Sequence, residues 1–152
     1  LSPLLQQVRQ QPGPGQRLRL EMELGNLLTT AGVPLAEEDS QARELGAEVG
    51  QLIGEFSSLF PGVEYVQQGQ AQVHKLPSAY LRLVLLNLLD QTHDSPLRVE
   101  WEGRQGGSWL TVRMSHPKAS MGLTCSADIV QSFGGNLIVD EQAIRVWLPA
   151  WL

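Results

Sequence analysis

Three helical segments, each followed by two short β-type runs, constrain this chain more than any single motif in it. The first of the three carries Leu45, Val49, Leu52, Ile53, Phe56 and Phe60 on one face, with Asp39 or Ser40 to cap it and Pro61-Gly62 to stop it. Residues 63–67 and 71–76 then read as strands around Gln68-Gly69, and Pro77-Ser78 opens a strongly apolar helix that runs to about Thr92. Strands at 97–102 and 108–115 flank the turn Gly106-Gly107. A helix over 120–133 stops at Gly134-Gly135, before strands at 136–140 and 143–148. This order predicts a mixed or antiparallel sheet with helices on one face, a two-layer α+β sandwich.

A fourth helical segment precedes these. Pro12-Gly13-Pro14-Gly15 separates a short stretch, 1–11, from a helix over 16–31, so the chain is expected to open on a helical hairpin. Leu20, Leu24, Leu27, Leu28 and Ala31 form an apolar stripe there, and Gly32 ends the helix. A helix this short needs something to cover its stripe, and a second copy of the chain is the economical partner. The expected division is therefore a dimerisation-type hairpin over 1–31 and an α+β domain over 33–152, with Val33-Pro34-Leu35 as an edge strand.

Composition narrows the function. The 152 residues include 11 Lys plus Arg against 16 Asp plus Glu, a net charge of -5 without any basic run, which removes the usual electrostatic route to nucleic acid or an anionic membrane. The longest apolar run, 83–86, is far short of the roughly 20 residues of a membrane helix. Cys125 is the single cysteine, so no internal disulfide is expected, and His74, His93 and His116 show no zinc-site spacing. A cytoplasmic protein is the natural reading. The chain begins at Leu1 without a signal pattern and reads as a fragment or a processed form.

The residues also carry a resemblance. Leu83-Val84-Leu85-Leu86-Asn87-Leu88-Leu89-Asp90-Gln91 resembles the N-box helix of the histidine kinase catalytic domain, in the ATPase superfamily shared with gyrase and MutL. Residues 122–139, from Gly122 through Gly134-Gly135 to Val139, are similar to the G2 box, its helix and the strand that follows, and Ile144 to Pro149 is similar to the closing strand. The resemblance covers residues 33–149 and implies that Asn87, Gln91 and Gly122 stand where the family binds nucleotide and Mg²⁺. It also implies losses. Gln91 replaces the second asparagine, and Ser115 and His116 stand where the family's D-x-G-x-G supplies the carboxylate for adenine. Six residues remain where the family carries a long lid, and Gly122 alone survives of the G2 glycines. These are expected to be vestigial nucleotide positions, with no catalytic residue, no metal site and no cofactor; ATP with Mg²⁺ enters only if the chain is a diverged but active kinase.

The ordinary alternatives are structural. Asn87 and Gln91 also read as the solvated side of a helix whose other face is Leu81, Leu85, Leu88 and Leu89. His93 reads as a helix-dipole partner, Cys125 as a small buried hydrophobe, and the four tryptophans as sheet packing, with Trp151 free for a partner. Leu1-Ser2-Pro3-Leu4 is similar to the segment after the phosphorylatable histidine of kinase dimerisation domains and of phosphotransfer adaptors, and reads equally as a proline-marked helix start. Together these point to a non-catalytic or phosphotransfer-type, histidine kinase-like regulator of bacterial two-component signalling. Its expected partners are a second copy, a response-regulator receiver domain or a histidine kinase. The rivals are an active diverged kinase and an anti-sigma-type module on the same scaffold.

Overall fold

The computed structural model describes residues 13–35, 42–91 and 97–151. The 1–11 segment, the Asp39/Ser40 cap and His93 lie outside the described residues.

Helix α1 spans Pro14–Thr30, with Pro14 at its first position, where a missing amide costs nothing. Helix α2 (Leu45–Glu55) runs into a 3₁₀ turn at Phe56–Ser58. Strand β1 (Glu64–Gly69), helix α3 (Ser78–Leu89), strands β2 (Arg98–Arg104) and β3 (Gly107–Arg113), helix α4 (Met121–Ser132) and strands β4 (Asn136–Val139) and β5 (Ala143–Pro149) follow. The sheet order is β1-β2-β3-β5-β4. Only β1 and β2 are parallel, and the crossover such a pair needs is supplied by α3. The other neighbours are antiparallel: β2–β3 and β4–β5 are hairpins, and β3–β5 is joined through α4 and β4. Gly106, at φ 89°, makes the tight β2–β3 turn in a conformation that L side chains rarely adopt.

Alternation sorts the two faces of the sheet. Val99 and Trp101, Leu110 and Val112, and Ile144, Val146 and Leu148 are buried in one cluster with Leu45, Val49 and Phe56 of the α2 region and the leucines of α3. The opposite face carries the ion pairs Arg113–Glu100 (3.0 Å) and Arg104–Glu102 (3.1 Å) and the tilted pair Trp109–Trp147, 5.1 Å between ring centroids. The tryptophans therefore divide. Trp101 is core, Trp109 and Trp147 pack together on the open face, and Trp151 is exposed under Lys75, whose Nζ sits 4.4 Å from its ring centre. Helix α3 is buried almost all round, which is why its sequence is apolar without a clear stripe.

Two expected strands are absent. Residues 71–76 join the sheet nowhere; they make one antiparallel bridge, His74 to Arg43, and Val73 accepts from the Trp151 amide at 2.8 Å. The β1–β2 ladder ends at Gly69, whose φ of 85° is one that L side chains rarely adopt, and the Gln70 amide makes a last bond to the Gly103 carbonyl at 2.9 Å. Val33-Pro34-Leu35 is also irregular: Pro34 has no amide to give, and Leu35 donates to the Tyr80 hydroxyl at 3.2 Å.

His74 is 1% exposed and binds the end of β5 to β3. Pro149 O can only accept, so Nδ1 carries the proton in that 2.9 Å bond and Nε2 accepts from Ser108 Oγ at 3.0 Å. Trp101 stands edge-on at 5.6 Å. Burial pushes the imidazole pKa down, opposed by the Pro149 bond. The unfolded chain therefore takes up a proton that the folded chain refuses. This stability is complete above about pH 6.5 and is lost as pH falls below it, by up to about 1.4 kcal/mol per pH unit, until the folded-state value is reached. Chemical denaturation across pH 7.5 to 5.0 should show this extra slope in the native chain and its removal in His74→Gln; equal slopes would refute it.

Candidate functional site

The site begins with a close helix crossing. A Cβ at Gly25 would stand 2.9 Å from Leu83 Cδ1, so the absence of a side chain lets α1 lie tightly on α3. The next residue, Asn26, is thereby brought against Asn87 in the middle of α3. The two carboxamides bond reciprocally: Asn26 Nδ2 donates to Asn87 Oδ1 at 2.8 Å, and Asn87 Nδ2 donates to Asn26 Oδ1 at 2.7 Å. Asn87 is 1% exposed, so the solvated-face reading of this residue is wrong. It is a buried polar group, and its partner comes from 61 residues away.

Gly122, in the first turn of α4, completes the enclosure. A Cβ there would lie 2.8 Å from Asn87 Oδ1, so glycine is what allows α4 to begin against the amide. Gln91, one turn beyond Asn87, is turned toward protein: its Nε2 donates to the Asn87 carbonyl at 2.9 Å and meets Ser120 Oγ at 3.2 Å. Ser120 in turn caps α4, accepting from the Leu123 amide at 3.1 Å. The three expected positions are thus brought together, but each is engaged by a neighbour in this chain.

A groove of about 740 Å³ opens over this cluster. Arg19 and Asp90 form its rim as an ion pair at 3.3 Å, and Ser115, His116 and Lys118 form the wall leading into α4. His116 has φ 53°, the one non-glycine residue with positive φ among those described, and its amide donates to Glu141 O at 2.9 Å. This ties the exit of β3 to the β4–β5 turn. No group of three or more His, Cys, Asp or Glu side chains that would hold a metal ion occurs among the described residues. Cys125 is buried in α4, and burial raises its pKa, the direction opposite to that of an activated thiol. Asn26, Arg19 and Asp90 are the site residues that sequence reasoning missed. The available signal was Gly25-Asn26, a small and a polar residue interrupting a leucine-rich helix.

No family model matches the sequence, and no curated protein matches it. Solved structures do. The Acinetobacter baumannii histidine kinase AdeS is 11% identical, with a TM-score of 0.63 over 86% of this chain and 76% of that one. The ATP-binding domain of PrrB from Mycobacterium tuberculosis is 15% identical, with a TM-score of 0.62 over 75% and 99%. The histidine kinase domain of the E. coli osmosensor EnvZ is 14% identical, with a TM-score of 0.58 over 78% and 94%. The chain therefore has the fold of the histidine kinase ATP-binding domain. No helix among the described residues is long and apolar enough to cross a membrane.

If the amide pair is a satisfied unit, breaking either half orphans the other. Asn26→Ala and Asn87→Ala should each cost about 1–3 kcal/mol in denaturant unfolding, and the double variant should cost less than the sum by 0.5 kcal/mol or more, as roughly expected for directly bonded partners. Additive losses would show that the two amides do not depend on each other.

Proposed function

We propose that this chain is a non-catalytic, histidine kinase-like regulator of bacterial two-component signalling, which keeps the kinase fold for dimerisation and for docking to a receiver domain or a kinase. The observation that carries this reading is the Asn26–Asn87 pair. In the fold family the corresponding amide oxygen serves metal and triphosphate; here it accepts from Asn26 and faces Gly122. Ser115 and His116 offer no carboxylate for adenine, and Asp90, the carboxylate at the rim, is paired with Arg19. These residues do not fit Mg²⁺-ATP. Catalysis of phosphoryl transfer consists mostly of positioning phosphates and metal, so a chain without that register has little to contribute to the chemistry. A phosphotransfer version of this reading takes its acceptor from elsewhere than His74, which is buried, neutral and bonded through both ring nitrogens.

Helix α1 supports the dimer. It buries Leu18, Met22, Gly25 and Asn26 on the domain, while of the stripe seen in the sequence Leu24 and Leu27 are 57% and 59% exposed and Leu20 and Leu28 are half-buried. Two such stripes meeting across a two-fold axis bury each other.

Two measurements check this. Mg²⁺-ATP at about 1 mM should leave the melting temperature unchanged, because mass-action stabilisation vanishes when ligand does not exceed its dissociation constant. Low-micromolar binding by calorimetry, abolished in Asn87→Ala, would establish the diverged kinase instead. Light scattering should report a dimer that Leu24→Glu together with Leu27→Glu converts to a monomer; a native monomer at high micromolar concentration would remove the dimer.

A further inference from the structure

The sheet ends on one side at β4, which pairs with β5 and with no other strand among the described residues. Edge strands are commonly blunted by charge or by proline. The opposite edge, β1, exposes Glu64, Gln67 and Gln68, whereas β4 reads Asn-Leu-Ile-Val and leaves Ile138 and Val139 42% and 46% exposed. The hairpin fixes where the free backbone groups of β4 point. The Asp140 amide donates to Ala143 O at 3.0 Å, and the pairs Ile138–Arg145 and Asn136–Trp147 lie two and four residues further along the same register. Hydrogen-bonded pairs alternate with non-bonded ones in an antiparallel ladder, so Asn136 and Ile138 direct their amides and carbonyls to β5, while those of Leu137 and Val139 point away from the sheet. The Met114 amide, bonded to Gln142 O at 3.0 Å, gives the same answer from the other side: it turns Ile144 and Val146 to β3 and leaves Arg145 and Trp147 for β4.

We propose that β4 is a docking edge for a second copy of this chain: two β4 strands pair antiparallel across a two-fold axis at Ile138 and join two five-stranded sheets edge to edge. The register has one solution. With Leu137 of each copy opposite Val139 of the other, every outward amide and carbonyl of both strands is bonded. Moving the axis by one residue would call on the outward groups of Gly135 or Glu141, and these are engaged: the Gly135 amide donates to Val130 O and Glu141 O accepts from the His116 amide, both at 2.9 Å. The side chains agree with this register. Ile138 meets Ile138 of the second copy at a non-hydrogen-bonded position, where side chains stand closest. Leu137 stands beside Val139, and Asn136 falls opposite Asp140, an amide against a carboxylate instead of two carboxylates against each other. Four residues a side fall short of the roughly 20–30 residues a side of a stable interface, so the joint is transient and needs a high local concentration. It uses no residue of α1. A dimer held through α1 carries two such edges, and their pairing links one dimer to the next.

The test traps the joint covalently in the full chain, with Leu24→Glu and Leu27→Glu present so that α1 contributes no dimer. Non-hydrogen-bonded positions bring facing Cα atoms to about 4.5 Å, within reach of a disulfide. Under oxidised glutathione, Ile138→Cys should cross-link to itself at least about tenfold faster than Asn136→Cys or Asp140→Cys alone, while an equal mixture of the last two should give the mixed disulfide. Val139→Pro deletes only an outward donor, so it should keep the cooperative melting transition and slow the Ile138→Cys cross-link to the rate of Asn136→Cys. Equal rates for Ile138→Cys and Asn136→Cys, or an Ile138→Cys rate untouched by Val139→Pro, would overturn the pairing. If Val139→Pro does not fold, the mixture of Asn136→Cys with Asp140→Cys decides: the mixed disulfide supports the register, and its absence overturns it.

Discussion

A pair of carboxamides buried where α1 crosses α3 organises the functional end of this molecule. An amide removed from water without partners is costly, whereas two that satisfy each other hold two helices in one register. Asn26 and Asn87 meet this condition at 2.7 and 2.8 Å, and three further features are arranged around them. Gly25 permits the approach of α1, Gly122 permits the start of α4, and Gln91 bridges the end of α3 to the cap of α4. Each is a place where a larger or less polar side chain would force the helices apart.

The rest of the domain supplies a rigid support for that cluster. Helix α3 is a buried core element, so the position of Asn87 along it is set by leucine packing on nearly every side. The sheet below turns its buried apolar side chains toward α3 and its ion pairs and the Trp109–Trp147 pair to the other face, and β3 and β5 are joined further by His74 at one end and by the His116 and Met114 amides at the other. A scaffold of this kind fixes where a polar group stands. In a kinase that placement serves phosphate and metal; here, on our reading, the amide it fixes is bonded to the chain's own first described helix.

Much of the fold was legible because it depends on local periodicity. The helices centred on Val49 and Ile129 announce themselves by a spacing of 3.6, the one centred on Leu85 by its unbroken apolar run after Pro77-Ser78, and the strands through Trp101, Leu110 and Val146 by a spacing of 2 with glycines and prolines between them. Residues 71–76 carry the same alternation yet form only one bridge, His74 to Arg43, because strand membership is settled by tertiary pairing and not by the pattern itself. Helix α1 shows the limit most clearly. Leu20, Leu24 and Leu27 make the more obvious stripe, but the side that docks is Leu18, Met22, Gly25 and Asn26, chosen by close approach and by a partner 61 residues distant. The resemblance brought Asn87, Gln91 and Gly122 into view as a group; that Asn26 joins them is a tertiary fact that no window of sequence contains.

The account stands on Asn87 being held by Asn26 and not by a ligand. The most direct observation is the side-chain amide resonances of the two asparagines by NMR, assigned through Asn26→Ala and Asn87→Ala. The account predicts cross-peaks between the two NH₂ groups, slow solvent exchange of both, and no movement of either when Mg²⁺-ATP is added to about 1 mM. Rapidly exchanging Asn87 protons without contact to Asn26, or an Asn87 resonance that shifts in step with nucleotide at micromolar concentration, would contradict it.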